Sequence, residues 1–356
     1  MVIQRNTYEN FVKDLEGRLK THRPLRGHIE LTHRCNLDCI HCDCKGSETG
    51  NGELRTSQWK DLFDQIRQEG CLWLTLTGGE PLLRDDFPEL YAYLRRKGFF
   101  VTIFTNATVF SSDVFKILRR YPPFLIEISL YGVTKNVYES ITQVSGSFPK
   151  VRKNLNTLLQ MKMPLVLKTV GLRQNKNEIL KVKALAEKIL GKKKFKFDTF
   201  LIPRLNGDQS PCRYRLSPEE ILEIERGDED MLAQHQEELH VSPGLLRARE
   251  FLYQCDSWRE SFFINPYGRL QFCLLSQEYS CDLKKRSFKD GFYHEFPKLW
   301  DERFTTAAKC KACRLRPYCH FCPARAFIET GDQEGRVEYY CRLAKDYFKQ
   351  RQLLKP

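Results

Sequence analysis

The chain has 356 residues, of which 41% are hydrophobic and 12% aromatic, enough for one large folded domain with a smaller companion and inconsistent with disorder. The N-terminus is charged from Arg5 onward without the apolar run of a secretory signal, and no stretch reaches the roughly 18 apolar residues of a membrane span, so no membrane partner and a cytoplasmic setting are expected. In that reducing compartment fourteen cysteines point to metal rather than disulfides, and a net charge of +13 spread along the whole chain argues against nucleic acid.

In chain order, GHIELTH (27–33) reads as a strand that runs directly into a cysteine-rich loop. SQWKDLFDQIRQEG (57–70) has apolar residues at helical spacing, with Ser57 as N-cap and Gly70 as terminator. CLWLTLTGGEP (71–81) is a strand ending in glycines, in which Cys71 is a small apolar core residue. DDFPELYAYLRRKG (85–98) is a helix and FFVTIFTNAT (99–108) a strand. SSDVFKILRRY (111–121) and PFLIEISLYG (123–132) repeat the pair, as do SFPKVRKNLNTLLQMK (147–162) and PLVLKTVGL (164–172). NKNEILKVKALAEKIL (175–190) and FKFDTFLIP (195–203) complete it, and the basic run 181–197 reads as a solvated helix face followed by a strand.

Six strands alternating with helices predict a parallel α/β sheet or partial barrel, whose active site lies in the loops after the strands. The cysteine loop, TGGEP, TNAT and SLYG all fall in such loops. The alternation stops near Pro203, Ser217 caps a new helix, and from Cys255 the composition turns cysteine-rich. The expected division is an N-terminal helical extension (1–27), a barrel (28–205), a linker (206–250), a cysteine-rich domain (251–345) and a tail (346–356).

RCNLDCIHCDC carries Cys35, Cys39 and Cys42 as C-x3-C-x2-C. Three thiolates hold a cubane iron–sulfur cluster by three irons and leave the fourth open. A zinc ion closed by Cys44 or His41 satisfies the same loop taken alone. The companion is Thr77-Gly78-Gly79-Glu80-Pro81 after the second strand, where glycines let backbone approach a ligand closely. Together the two motifs resemble the signature of the radical S-adenosylmethionine (SAM) superfamily.

The resemblance implies a [4Fe-4S] cluster on Cys35, Cys39 and Cys42 that chelates SAM and, once reduced, cleaves it to a 5′-deoxyadenosyl radical. It implies SAM contacts from Gly78, Gly79 and Glu80, from Ser129 in ISLYG, and from Asn106 in TNAT and Lys168 in LKTVG. His41 stands where the family often has an aromatic residue and would pack against adenine.

Further on, Cys255 and Cys273 precede a C-x2-C-x5-C-x2-C-x18-C run of Cys310, Cys313, Cys319, Cys322 and Cys341. Alone, the first four of that run match a zinc ribbon. The whole resembles the SPASM extension, with one residue fewer before Cys322 than is usual. The fold implied is a partial (β/α)6 TIM-like barrel with a C-terminal SPASM domain. Two auxiliary iron–sulfur clusters are implied, the distal one on Cys310, Cys313, Cys319 and Cys341 and the nearer one on Cys255, Cys273 and Cys322. The nearer cluster's fourth ligand is left among Cys281, Cys212, a non-cysteine residue or an open iron.

Enzymes of this layout mostly modify peptides by crosslinking, oxidation, epimerisation or excision, while others act on tetrapyrroles or mature sulfatases. The implied partners are a peptide or protein substrate and an electron donor such as ferredoxin or flavodoxin. The 34 residues before Cys35 are short for a leader-binding domain, so a separate leader-recognition protein is expected, and the positive charge suits an acidic leader. The reading of another class is a non-catalytic zinc or iron–sulfur protein.

Overall fold

The computed structural model describes Gly17 and residues 22–46, 52–233, 250–253, 255, 259–305, 308–319 and 321–353. The predicted N-terminal helical extension lies outside the described residues apart from Gly17 and 22–27, as do residues 234–249 of the linker.

Strands β1 (Arg26–Thr32), β2 (Trp73–Gly78), β3 (Phe100–Thr105), β4 (Leu125–Ser129), β5 (Leu165–Val170) and β6 (Phe195–Asp198) lie side by side in chain order. Every neighbouring pair is parallel. Between them run α1 (Thr56–Gln68), α2 (Phe87–Arg96), α3 (Ser112–Arg120), α4 (Lys135–Thr142), α5 (Ser147–Gln160) and α6 (Ile179–Leu190). This is the predicted six-stranded βα partial barrel.

Side chains alternate across a strand, so each strand has a helix-facing set and a set facing the concave side. Ile29, Leu31, Leu74, Leu76, Val101, Ile103, Ile126, Ile128, Leu165 and Leu167 are the helix-facing set. They form one core with Trp59, Phe63, Phe87, Tyr91, Leu118 and Leu155 of the helices. Each such buried side chain contributes about 1.5–3 kcal/mol by its removal from water. The opposite set is mostly polar: His28 and Glu30 on β1, Thr75 on β2, Thr102 with Phe104 on β3, Glu127 and Ser129 on β4, Lys168 with Val166 on β5, and Lys196 and Asp198 on β6. It forms the wall of a lumen.

Three local features depart from the sequence reading. Helix α1 starts two residues earlier, at Thr56, with Arg55 as N-cap, and Gln58 Oε1 accepts from the Arg55 N–H at 3.0 Å, so Ser57 is not the cap. Helix α4 is an additional element, capped by the Thr134 side chain and ended by Gln143 in the left-handed region. Strand β6 ends at Asp198 rather than near Pro203, because the Asp198 carboxylate captures the Phe200 N–H at 2.7 Å. Cys71, fully buried just before β2, has the predicted core position.

The C-terminal region continues the same sheet. Strand β7 (Ser261–Ile264) pairs in parallel with β1, Gly27 opposite Phe262 and Ile29 opposite Ile264. Strands β8 (Arg269–Gln271) and β9 (Ser280–Asp282) then follow as antiparallel neighbours. The sheet order is β6-β5-β4-β3-β2-β1-β7-β8-β9. Beyond it, α7 (Pro218–Arg226), begun by the predicted Ser217 with a Ser217–Glu220 capping box, packs Ile221 and Leu222 against Tyr339, Tyr340 and Leu343 of the terminal helix Glu338–Leu353.

Candidate active site

The loop carrying Cys35, Cys39 and Cys42 leaves the C-terminal end of β1 and is held by its neighbours on both sides. From β2, the Gly79 N–H donates to Thr32 O and the Glu80 N–H to Arg34 O, each at 2.8 Å. A Cβ on Gly78 would stand 2.2 Å from Thr32 O and one on Gly79 2.4 Å from Arg34 O. The glycines of TGGEP are therefore required by the cysteine loop itself, whose backbone lies directly on theirs. Gly78 also has a φ of +132°, in the range that favours glycine.

The Glu80 carboxylate is fully buried. It accepts from Leu82 N (3.2 Å), Thr105 Oγ1 (2.9 Å) and Asn106 N (2.8 Å), fastening the β2 loop to the end of β3. Burial pushes its pKa up to about 7 against those three donors. Asn106 extends the brace: its Nδ2 donates to Asn36 Oδ1 at 3.1 Å and approaches Cys35 Sγ at 3.8 Å, while its Oδ1 accepts from the Thr108 N–H and hydroxyl.

The three thiols face one another closely enough to raise each other's pKa, but desolvation is the larger cause. It lifts Cys42 to about 12, and Cys39 and Cys35 also shift upward. Thiols in so dry a place stay protonated until a metal takes the proton's position. His41 is half-buried and neutral, its pKa lowered to about 4 by desolvation, and it meets Tyr131 edge to face at 4.7 Å. Ser129 ends β4, hydrogen-bonded to Tyr131, and lies opposite Lys168 in the β4–β5 ladder. The site thus gathers Gly78, Gly79, Glu80 and Asn106 around the cysteine loop, with Ser129 and Lys168 across the lumen.

Several supports carried no sequence signal beyond being charged residues in loops. Glu53 Oε1 accepts from the Thr32 hydroxyl and the His33 N–H. Arg84 donates to Leu31 O and Leu54 O. Glu178 holds the loop after β4 through Val133 N, Thr134 N and Thr134 Oγ1. Behind the cysteine loop, Glu30, His33 and Cys44 place their polar atoms within 4.8 Å of one another. Glu30 accepts there from the Cys44 thiol and pairs with His33 Nε2 at 3.0 Å. Cys44 is therefore a buried partner of Glu30 rather than a fourth member of the cysteine triad.

In the second cysteine field, a small pocket is lined by Cys310, Cys319, Cys322 and Cys341, with Phe321, Arg325 and Tyr340. Cys313 joins Cys310, Cys319 and Cys341 as a mutual electrostatic neighbour, and Cys273 is the neighbour of Cys322. Cys255 is exposed. Cys281 packs beneath Gly291, with Arg286, Glu295, Asp282 and Asp290 as its charged neighbours, and the Cys212 thiol reaches Gln209 Oε1. Among the described residues none of these cysteines is in a disulfide, and a cavity walled by thiols fits an iron–sulfur cluster.

Comparison with known proteins agrees with this geometry. Residues 29–186 match the Radical SAM superfamily. Over 335 residues the chain is 26% identical to the AdoMet-dependent heme synthase of Methanosarcina barkeri, spanning 88% of this chain and 94% of that protein. It is 25% identical to the antilisterial bacteriocin subtilosin biosynthesis protein AlbA of Bacillus subtilis, over 84% of this chain and 67% of that one. The crystal structure of Streptococcus suis SuiB bound to precursor peptide SuiA superposes with a TM-score of 0.70 at 18% identity, over 95% of this chain and 82% of that one. The match over 29–186, which takes in the cysteine triad at the mouth of the parallel sheet and the glycine loop on which it rests, gives this chain a radical SAM domain.

Proposed function

We propose that the chain modifies a ribosomally made peptide by hydrogen abstraction, the outcome being a crosslink, an oxidation, an epimerisation or an excision. The observation that carries the reading is the Cys35, Cys39 and Cys42 loop, braced by β2 and open to the lumen at the C-terminal end of a six-stranded βα barrel. In this reading the three thiolates hold a [4Fe-4S] cluster, and Gly78, Gly79, Glu80, Asn106 and Ser129 shape the SAM pocket. Bound there, the cluster and SAM supply a hydrogen-abstracting 5′-deoxyadenosyl radical. Glu80 and Asn106 keep the cysteine loop in register, and neutral His41 closes its side with an apolar ring face. Cys310, Cys313, Cys319 and Cys341 hold a distal auxiliary cluster. Cys255, Cys273 and Cys322 hold a nearer one, with the fourth iron left to a non-cysteine ligand or to substrate.

The peptide class is supported by AlbA, a bacteriocin biosynthesis protein, and by the precursor peptide bound to SuiB. A separate leader-recognition protein and a ferredoxin or flavodoxin complete the proposed system, set in the cytoplasm. Among the described residues no helix is long and apolar enough to cross a membrane. A second reading, a tetrapyrrole substrate, is favoured by the match along 94% of a heme synthase.

Anaerobically reconstituted protein is expected to bind iron approaching about twelve atoms per chain, as three cubanes require, and to release 5′-deoxyadenosine when reduced with SAM. Replacing Cys35, Cys39 and Cys42 by alanine should abolish that release and remove about four irons. Release that survives the triple substitution overturns the assignment. Mass spectrometry of a short precursor peptide, if the neighbouring genes encode one, against a tetrapyrrole supplied in parallel, separates the two substrate readings.

A further inference from the structure

Among the described residues, one cation on the lumen wall, Lys168, has no hydrogen-bonded or ion-paired partner. Lys168 is at the same level as Ser129 on β4 and Lys196 on β6, its register partners. Lys196 is already paired with Glu127, and Asp198 already accepts from Phe200 N. Among the described residues the Lys168 ammonium makes no hydrogen bond and no ion pair. Its one direct partner is the face of the Phe104 ring, 3.5 Å from the ring centroid. His28, a second basic group on this wall, stands edge-on to the same ring.

Desolvation lowers the Lys168 pKa, opposed by attraction from Glu127 and Asp198, and it lowers the His28 pKa too, with Lys168 contributing. An aromatic face compensates only part of what an ammonium loses on leaving water. Arg215, for comparison, has both arms on the Glu329 carboxylate. Lys168 is left able to take one acceptor from whatever enters the lumen.

We propose that Lys168 is a substrate-anchoring residue that binds a carboxylate of the substrate, with Phe104 holding the ammonium in place. The charge around it favours a singly charged acceptor over phosphate: Glu127 and Asp198 on the same wall, and Asp43 nearby, repel a dianion. The resemblance to the superfamily offered Lys168 as a SAM contact, so the carboxylate of SAM is the competing source of the same chemistry. The inference rests on the radical SAM reading, in which the lumen lies beside the cofactor.

The test uses wild-type holoenzyme, reconstituted under argon and loaded with SAM. The acetylation of Lys168 by an N-hydroxysuccinimide ester is followed by peptide mass spectrometry, with propionate or propionamide added. Propionate at about ten times its Kd should slow Lys168 acetylation by about tenfold by simple occupancy, while propionamide leaves it unchanged. Equal protection by the two, or none by either, overturns the carboxylate site. Full protection of Lys168 in the SAM-loaded enzyme without propionate, relative to the same reconstituted enzyme before SAM is added, assigns Lys168 to the cofactor and overturns it equally. N-acetylglutamate amide and coproporphyrin III, run as further protectants, distinguish a peptide side chain from a macrocycle propionate as source. The same samples are assayed for 5′-deoxyadenosine. Its absence would overturn the radical reading and leave the acetylation comparison readable in its own right.

Discussion

At the scale of single residues, the glycine pair after β2 marks where sequence and structure give different reasons for the same residue. Read as sequence, Gly78 and Gly79 admit a ligand. In the structure their missing side chains admit the backbone of the cysteine loop, with His33 O and Arg34 O 2.6 and 2.4 Å from where a Gly79 Cβ would be. Backbone cannot swing away as a flexible side chain does. Gly79→Ala should therefore destabilise the protein by about 1–3 kcal/mol through overpacking and also displace the cysteine loop. The expected outcome is a lowered urea midpoint together with subnormal iron and little 5′-deoxyadenosine. A variant with full iron and wild-type release would show that the loop can shift freely. Cys35, Cys39 and Cys42 were legible because their spacing is local. The bracing by Glu80, Asn106 and Glu53 was not, because each brace joins residues at least twenty positions apart.

At the scale of elements, the helices and strands of the barrel follow from apolar periodicity, and Ser217 announces its helix by its own capping chemistry. What periodicity does not reveal is how the loop after β6 is tied to the cysteine-rich region. Arg215, at the end of that loop, donates through both guanidinium arms to Glu329 at 2.8 and 2.6 Å and through Nε to Leu201 O at 2.8 Å. It also lies over the Tyr339 ring. Glu329 belongs to helix Pro323–Thr330, which begins right after Cys322. The pair thus fastens the barrel to the helix beside the thiol-lined cavity. Arg215→Met leaves a buried carboxylate alone and should cost about 3–5 kcal/mol, read as a lowered urea midpoint. Arg215→Lys should recover little, since an ammonium cannot supply the planar fork. Substantial recovery by lysine would mean the site needs only a positive charge.

At the scale of the whole molecule, the cysteine-rich region reads as a separate domain in sequence, but β7 enters the barrel's own sheet beside β1. That pairing leaves no trace in local pattern: SFFI is four residues, and its partner is more than two hundred positions earlier. Composition changes near Cys255 while the sheet does not end there. A chain ending at 205 would leave the β1 edge unpaired and Phe262 missing from over Gly27. Such a fragment should aggregate or unfold without a cooperative transition, since an open parallel edge invites other strands. A soluble fragment with a sharp urea transition would establish the barrel as an independent folding unit.

The same strand order has a consequence in time. The strand that launches the cysteine loop is among the first parts of the sheet to be synthesised, and its neighbour β7 among the last. At roughly 5–20 residues per second, the interval between Ile29 and Ile264, which face each other in the finished ladder, is on the order of 10–50 s. For that period the loop destined for the cluster hangs from a strand hydrogen-bonded on one side only. The second edge of that strand is completed only when the C-terminal region has been made.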